Sequence, residues 1–444
     1  MPTAIFRITL VFFGATFAAL AQTGAEIEKI VNRLDKLEQD NRALLQEIRD
    51  LRQELAAARN ISPSSEPVDE RLQVQERRTE ELAQTKVEAS QRMPVSITGM
   101  LLFNAFANGR SSGTSQDPIA ARRDRSSSSS GASLRQTVLG LKFNGPDLPG
   151  GGKASGSLYM DFFAGTPEPD NHLMRIRVAT LDLAWKNTTL TVGQDKPILA
   201  PREPGSLAQV GVSPLTGAGN LWDWQPQVRL EQRFALGDRS GLRAQAGVYQ
   251  TSEADANVPV AFAKTLERWR PGYEGRFEFW HAAGVRRFEI APGFHFSATH
   301  VAAASVPSRA VSLDWMIKPA SLIEFSGAWF RGENLANLGT LRQGFVILST
   351  GQAIPVHSLG AWAQIAIFPA ERLSLHFYGG QQRDRESDLK FGGIARNFVY
   401  AGNFMYRLAP NLLTSLEFSQ TRTTYINVGN RLNNHYDLAL AYLF

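Results

Sequence analysis

NNHYDLALAYLF, residues 433–444, ends the chain on an aromatic side chain that is itself part of a pattern. Tyr436, Leu438, Leu440, Tyr442 and Phe444 fall on one side of an extended strand, and Asp437, Ala439 and Ala441 on the other, because side chains alternate along a strand. No turn or tail follows. The terminal strand therefore closes a sheet built by the residues before it.

The same period runs back through the chain to Met93. Val311, Leu313, Trp315 and Ile317 alternate with Ser312, Asp314 and Lys318; Phe398, Tyr400, Phe404 and Tyr406 alternate with Asn397, Asn403 and Arg407. Short turns punctuate these runs at GPDLPGGG (145–152), KNTT (186–189), GDRS (237–240), AGVRR (283–287), KPAS (318–321), PAER (369–372) and APN (409–411). Between them lie long polar connections such as RSSGTSQDPIAARRDRSSSSSGAS (110–133), which suit neither a helix nor a packed core. Seven short turns and eight long loops predict sixteen antiparallel strands within residues 93–444. Hydrocarbon offers the backbone no hydrogen-bond partner, so a sheet that spans it must close on itself. Lipid outside and water inside then require apolar and polar residues in alternation, with short turns at one rim and long loops at the other. A soluble sandwich has a dry interior and would not accept so many charges on its inner faces. The expected fold is an all-β transmembrane barrel.

The N-terminal part reads differently. MPTAIFRITLVFFGATFAALAQ carries Arg7, an apolar run from Ile8 to Leu20 and small residues at Ala19 and Ala21, the layout of a secretory signal (1–21) cut after Ala21. The apolar stretch is short for a membrane anchor across roughly 30 Å of hydrocarbon. Residues 22–59 repeat apolar positions three and four apart. Ile27, Leu34, Asn41, Ile48 and Leu55 occupy one heptad position, and Ile30, Leu37, Leu44 and Leu51 the other, which predicts an α-helical coiled coil. Asn41 in that seam favours parallel copies in register, hence an oligomer of two or three strands. Two prolines in ISPSSEPV (61–68) break the helix, and residues 60–92 read as a linker with a second, more polar helix.

Charge and residue usage exclude several functions. Residues 22–92 hold 12 basic and 15 acidic side chains; removing these and Arg7 from the totals of 47 and 42 leaves 34 and 27 in residues 93–444, a net of +7. That excess is spread thinly, with no Lys/Arg block, which argues against nucleic acid as a partner. There is no cysteine, so there are no disulfides and no thiolate metal sites. The seven histidines show no metal-ligand spacing, and no Gly-rich phosphate loop opens a helix; no cofactor, metal or enzyme activity is expected. A barrel-embedded phospholipase would need a Ser and a His side by side on the lipid-facing surface, and His281 and His435 near strand ends are the candidates.

The terminal strand ending in Phe444 resembles the signal read by the outer-membrane barrel-assembly machinery. The whole layout resembles the trimeric porins of Gram-negative outer membranes, and more narrowly the DcaP-like porins, where a periplasmic coiled coil precedes a sixteen-strand barrel. That resemblance implies a homotrimer amid outer-membrane lipid and lipopolysaccharide, passing small hydrophilic solutes by diffusion, with small organic anions such as dicarboxylates as a further extension. A structural tether, holding the barrel to the cell wall or a periplasmic partner through the coiled coil, is the rival expectation.

The resemblance also implies that the third long loop, LAPREPGSLAQVGVSPLTGAGNLWDWQ (199–225 with its flanks), folds into the lumen. Its charged residues are Arg202, Glu203 and Asp223, and Trp222 and Trp224 are candidates for stacking on a flat solute. Strand parity turns Arg229, Glu231 and Arg233 of the sixth strand inward, with Arg243 on the seventh and Arg276 on the eighth. Neighbouring strands lie about 4.8 Å apart, so the four arginines are expected to make a positive wall facing acidic groups at Glu289, Asp314 and Glu324. Arg175 and Arg177 share the parity of lipid-facing Leu181 and Leu183, which places them above the membrane.

Overall fold

The computed structural model describes Gln46, Asp50 and residues 95–444, apart from 114, 125, 167–171, 254–257 and 349. The signal segment, the coiled-coil seam from Ile27 to Leu55 and the linker to residue 92 lie outside these; Gln46 and Asp50 themselves are helical. Among the described residues no helix is long and apolar enough to cross a membrane.

Sixteen antiparallel strands close into one barrel. They are β1 (Val95–Asn108), β2 in two pieces (Ser129–Ser133 and Val138–Leu148), β3 (Gly152–Ala164), β4 (Leu173–Ala184), β5 (Thr188–Asp195), β6 (Gln225–Ala235), β7 (Ser240–Gln250) and β8 (Pro271–Ala283). They continue with β9 (Arg286–Val301), β10 (Ala304–Ala320), β11 (Ile323–Glu333), β12 (His357–Ala370), β13 (Leu373–Asp384), β14 (Ile394–Ala409), β15 (Leu412–Tyr425) and β16 (Gly429–Leu443). Closure is made by the C-terminal strand. β16 pairs with β1 from Met100↔Leu443 to Asn108↔His435, and Phe444 exchanges backbone hydrogen bonds of 2.9 and 3.2 Å with Gly99. A Cβ on Gly99 would stand 2.7 Å from the Phe444 ring, so the glycine leaves room for the terminal aromatic.

The pleat separates two environments. On β16, Tyr436, Leu438, Leu440, Tyr442 and Phe444 are 43–52% exposed on the outer surface, while Asp437, Ala439 and Ala441 are buried. On β6, Val228, Leu230 and Phe234 face out; Gln225, Gln227 and Glu231 are buried inside. Exposed apolar side chains at every second position would be unfavourable in water, at about 25 cal/mol per Å²; in hydrocarbon they are the matched surface.

Two of the eight expected long loops are tight turns instead. Ala302 and Ala303 alone join β9 to β10, with φ of 50° and 59°. Two-residue hairpins need positive φ and normally advertise it with Asn or Gly; VAAAS carries neither. Residues 426–428 join β15 to β16, with Asn427 at φ 57°. β9 and β10, of 16 and 17 residues, are accordingly among the longest strands.

Candidate channel constriction

The connection between β5 and β6, residues 196–224, lies inside the barrel. Inward polar side chains from around the wall hold its backbone. Asn104 of β1 donates to the Leu207 carbonyl (2.9 Å). Gln136 donates to the Ala208 carbonyl (2.7 Å) and accepts from the Val210 and Gly211 N–H groups (both 2.6 Å). Glu274 of β8 accepts from the Ile198 N–H (2.6 Å), Gln364 of β12 from the Gly205 N–H (2.7 Å), and Asn397 and Asn403 of β14 donate to Gly217 (3.0 Å) and Gly205 (2.8 Å). An irregular backbone at this depth is tolerable because such partners replace water.

Apolar contacts complete the docking. Leu199, Ala200 and Leu221 pack with Ala310 and Phe330; Leu215 and Ala218 pack with Trp362, Tyr378, Val399 and Ala401. Two features explain the close approach to β12 and β13. Gly219 sits at φ 104°, and a Cβ there would meet the Ala361 carbonyl oxygen at 2.2 Å. Gly380 leaves the same kind of space opposite the Ala218 carbonyl, 2.3 Å from where its Cβ would be.

The charged side chains fall into three groups. On the β8–β10 side, Arg276 is fully buried and bonds Asp314 (2.7 and 2.8 Å), Glu278 (2.6 Å) and Gln245 (3.2 Å). Arg202 reaches from the loop to Asp314 (2.6 Å) and to Glu289, and Arg243 bonds Glu278 (2.5 Å). Arg287 also pairs with Glu289, so four arginines share three carboxylates, and the group cross-braces the loop to the wall. Arg229 pairs with Asp195 (3.2 Å), and Arg233, 60% exposed beside the short-turn rim, pairs with Glu231 (2.7 Å). The expected uninterrupted positive wall is thus absent. Its acidic partners Glu289 and Asp314 do not stand across the lumen but between the arginines, because β9 and β10 adjoin β8 and their inward positions meet at one height. Glu324 takes no part in these ion pairs.

The second group was placed wrongly by parity. Arg175 and Arg177 face inward, because a register shift opposite Tyr159 and Met160 changes the phase of β4. Below the shift Leu181 is 49% exposed on the outside; above it Ile176 is the outward residue. Asp161, fully buried, takes Arg175 at 2.8 and 3.0 Å and lies 3.7 Å from Arg177. Arg135, turned inward where β2 is interrupted, stacks on Phe163 at 4.6 Å. Trp224 lies 5.1 Å from the Arg175 guanidinium and 4.9 Å from that of Arg177, and Trp222 is buried against it edge-on at 4.9 Å. Of the two indoles expected to take a flat solute, Trp224 is covered by arginine and Trp222 is buried. Lys196 bonds Glu203 at 2.6 Å, and Ser213 donates to the same carboxylate at 2.7 Å. Desolvation pushes the Glu203 carboxyl up, but Lys196 and Ser213 outweigh it and hold it below its ordinary value. Burial raises Asp223, against the nearby charges of Arg342 and Arg175. Arg177, Glu203, Gln209 and Trp224 border a small cavity of about 70 Å³. Around it Arg135, Arg175, Arg177 and Lys196 outnumber Asp117, Asp161 and Glu203 by one, and Arg342 with Asp223 adds one of each sign.

The third group is acidic and covered. Glu417 of β15 accepts from Ser206 (2.7 Å), Tyr378 (2.8 Å) and Asn403 (2.9 Å), and Asp437 of β16 accepts from Asn104 (2.9 Å). Both are about 2% exposed, whereas the side chains of Arg175, Arg177 and Lys196 keep 28, 15 and 24%. The wet part of the lumen is therefore lined by the group around Trp224, in which Glu203, 35% exposed, accompanies the basic side chains.

Among the described residues no cluster of three metal-ligating side chains occurs. Ser240 Oγ and His281 Nδ1 do meet at 2.8 Å on the outer face of β7 and β8, but among the described residues no third group is hydrogen-bonded to the imidazole. A nucleophile–base pair needs its base oriented by such a group; here the contact is a cross-strand hydrogen bond. His435 points inward to Asn108 (2.8 Å), away from lipid.

No protein-family model matches the sequence, and no curated protein matches it. Among solved structures, the outer membrane channel DcaP of Acinetobacter baumannii superposes with a TM-score of 0.66 at 15% identity, covering 79% of this chain and 97% of that one. An anion-selective porin from Comamonas acidovorans gives 0.52 at 10% identity, over 79% and 99%. At these identities the likeness is one of fold, and the barrel of this chain has the fold of those outer-membrane channels.

Proposed function

We propose that this protein is a passive outer-membrane channel for small hydrophilic solutes, with a moderate preference for anions, assembled as a homotrimer amid outer-membrane lipid and lipopolysaccharide. The observation that carries the reading is the loop 196–224, held inside a closed barrel by side chains from opposite walls, beside a basic group that keeps contact with water. A closed barrel with a polar interior conducts wherever the interior stays wet. Basic side chains lining a pore favour anions, and the local excess of one positive charge around Trp224 acts in that sense. The solved Comamonas porin is described as anion-selective, and small organic anions such as dicarboxylates fit a site with paired guanidinium groups, since arginine binds carboxylates bidentately.

Planar-bilayer recording tests the reading. Purified protein should insert with conductance in groups of three steps, and its reversal potential in a salt gradient should lie on the anion side of zero selectivity. An electrically silent, correctly folded barrel would overturn it.

A further inference from the structure

Arginines also cluster on the outside of the barrel. Arg331, Arg383, Arg396 and Arg422 are exposed, and each is flanked along its strand by inward-facing neighbours. Strand register sets the first three in one row: Arg331↔Leu359, Leu359↔Arg383, Arg383↔Arg396, then Arg396↔Thr424 and Thr424↔Asn430. Arg422 lies one outward position lower, opposite Phe398 and Leu432. The row runs along the long-loop rim of β11–β16 and spans about 24 Å at roughly 4.8 Å per strand.

No carboxylate neutralises it. Among the described residues Arg331, Arg383 and Arg396 have no ion pair. Arg383 and Arg396 stand directly opposite each other, an arrangement of like charges that destabilises a sheet. Glu333 and Asp388 on this face are engaged by His357 at 3.3 and 2.8 Å, Glu333 also by Arg309 at 3.9 Å, and Glu386 lines the same cleft as the row. Two adjoining clefts, about 930 and 500 Å³, share Arg396 and Asn430; seven arginines line them against Asp384 and Glu386. Asp384 is itself turned to Ser358 and Gln382 (both 2.8 Å). Below the row, which itself includes Leu359, the surface carries apolar Trp329, Phe398, Tyr400 and Leu432 beside Gln381 and Arg422.

We propose that this face is a docking surface for a phosphorylated lipid of the outer leaflet. Its phosphates bridge Arg383 and Arg396, with Arg331 and Arg422 flanking, and its acyl chains run down the apolar strip. Guanidinium pairs bind phosphate bidentately, and an anion between Arg383 and Arg396 removes their repulsion. The apolar strip selects an amphiphile over a free anion. The proposal rests on the outer-membrane reading, which turns the long-loop rim outward.

The test uses the full-length protein in detergent, with native mass spectrometry and thermal unfolding as readouts. The probes are a bis-phosphorylated, acylated glucosamine disaccharide, its dephosphorylated form, and inorganic phosphate. The wild type should retain and be stabilised by the first only, and the Arg383→Gln/Arg396→Gln variant should bind it about tenfold or more weakly. Equal binding by wild type and variant, or equal protection by inorganic phosphate, would overturn the proposal. Should that variant fold poorly, Arg331→Gln/Arg422→Gln on the same face carries the same expectation. Neither variant touches the lumen, so conductance should stay at the wild-type value. A conducting channel that ignores the lipid defeats this inference alone, and a silent barrel that binds it defeats only the channel reading.

Discussion

Arginines inside the barrel and arginines outside it obey different rules. Arg202, Arg243 and Arg276 each reach a carboxylate at close range, and Arg276 is wholly buried. Arg331, Arg383 and Arg396 are exposed and without ion pairs among the described residues. The difference follows from what each set must do. A charge removed from water needs a partner at hydrogen-bond distance, or the desolvation cost is not recovered. A charge left at a wet rim needs none and remains available to an external anion. Pairing is thus obligatory for the buried arginines of the constriction, whereas exposed arginines occur both paired, as Arg233 and Arg309 are, and unpaired, as in the outer row. Arg175, Arg177 and Lys196 are intermediate, with four basic groups sharing three carboxylates around Trp224.

That contrast can be broken by mutation. Arg276→Ala should have the largest effect. It leaves Asp314 and Glu278 buried without their main partner, at about 3–5 kcal/mol, read as a lower urea midpoint for unfolding from lipid vesicles. Leu215→Ala comes next. Leu215 is 3% exposed and held at φ 61° by its packing, so truncation should cost about 2–5 kcal/mol of loop docking, seen as larger, noisier single-channel current with the barrel intact. Arg177→Gln should then remove the local charge excess and shift the reversal potential towards zero selectivity, whereas Arg233→Ala should shift it less, because Arg233 is already neutralised by Glu231 near the short-turn rim. The smallest effect is expected outside. In lipid-free detergent Arg383→Gln should leave stability unchanged or raise it by about 0.2–1 kcal/mol, since it relieves a like-charge pair.

Alternation made the barrel legible, because every strand in this setting must be apolar on one face and polar on the other. The β16 residues that closed the sequence argument also close the sheet, and the inward parity of Arg229, Arg243 and Arg276 follows from it. What parity could not show was partnership. Glu278 and Asp314 come from β8 and β10, and only the stagger of the strands brings them to Arg276 at one level. Arg175 and Arg177 were misplaced because parity was carried through a phase change. The signal was present in LMRIRVATLDLA (173–184), where the outward apolar positions are Met174 and Ile176 above the shift but Leu181 and Leu183 below it. A shift of that kind is how a bulge reads in sequence. The turn at Ala302 and Ala303 left no such trace, since alanine carries no preference for positive φ.

The account rests on water and ions passing beside a loop that lies inside the barrel. The chain has no cysteine, so Gln209→Cys, at the cavity beside Arg177 and Glu203, supplies a single thiol at that place. Single-channel current should fall, and the anion preference with it, when a small sulfonated thiol reagent is attached. An unchanged current and reversal potential, with complete labelling verified by mass, would contradict the placement of the loop in the conducting path.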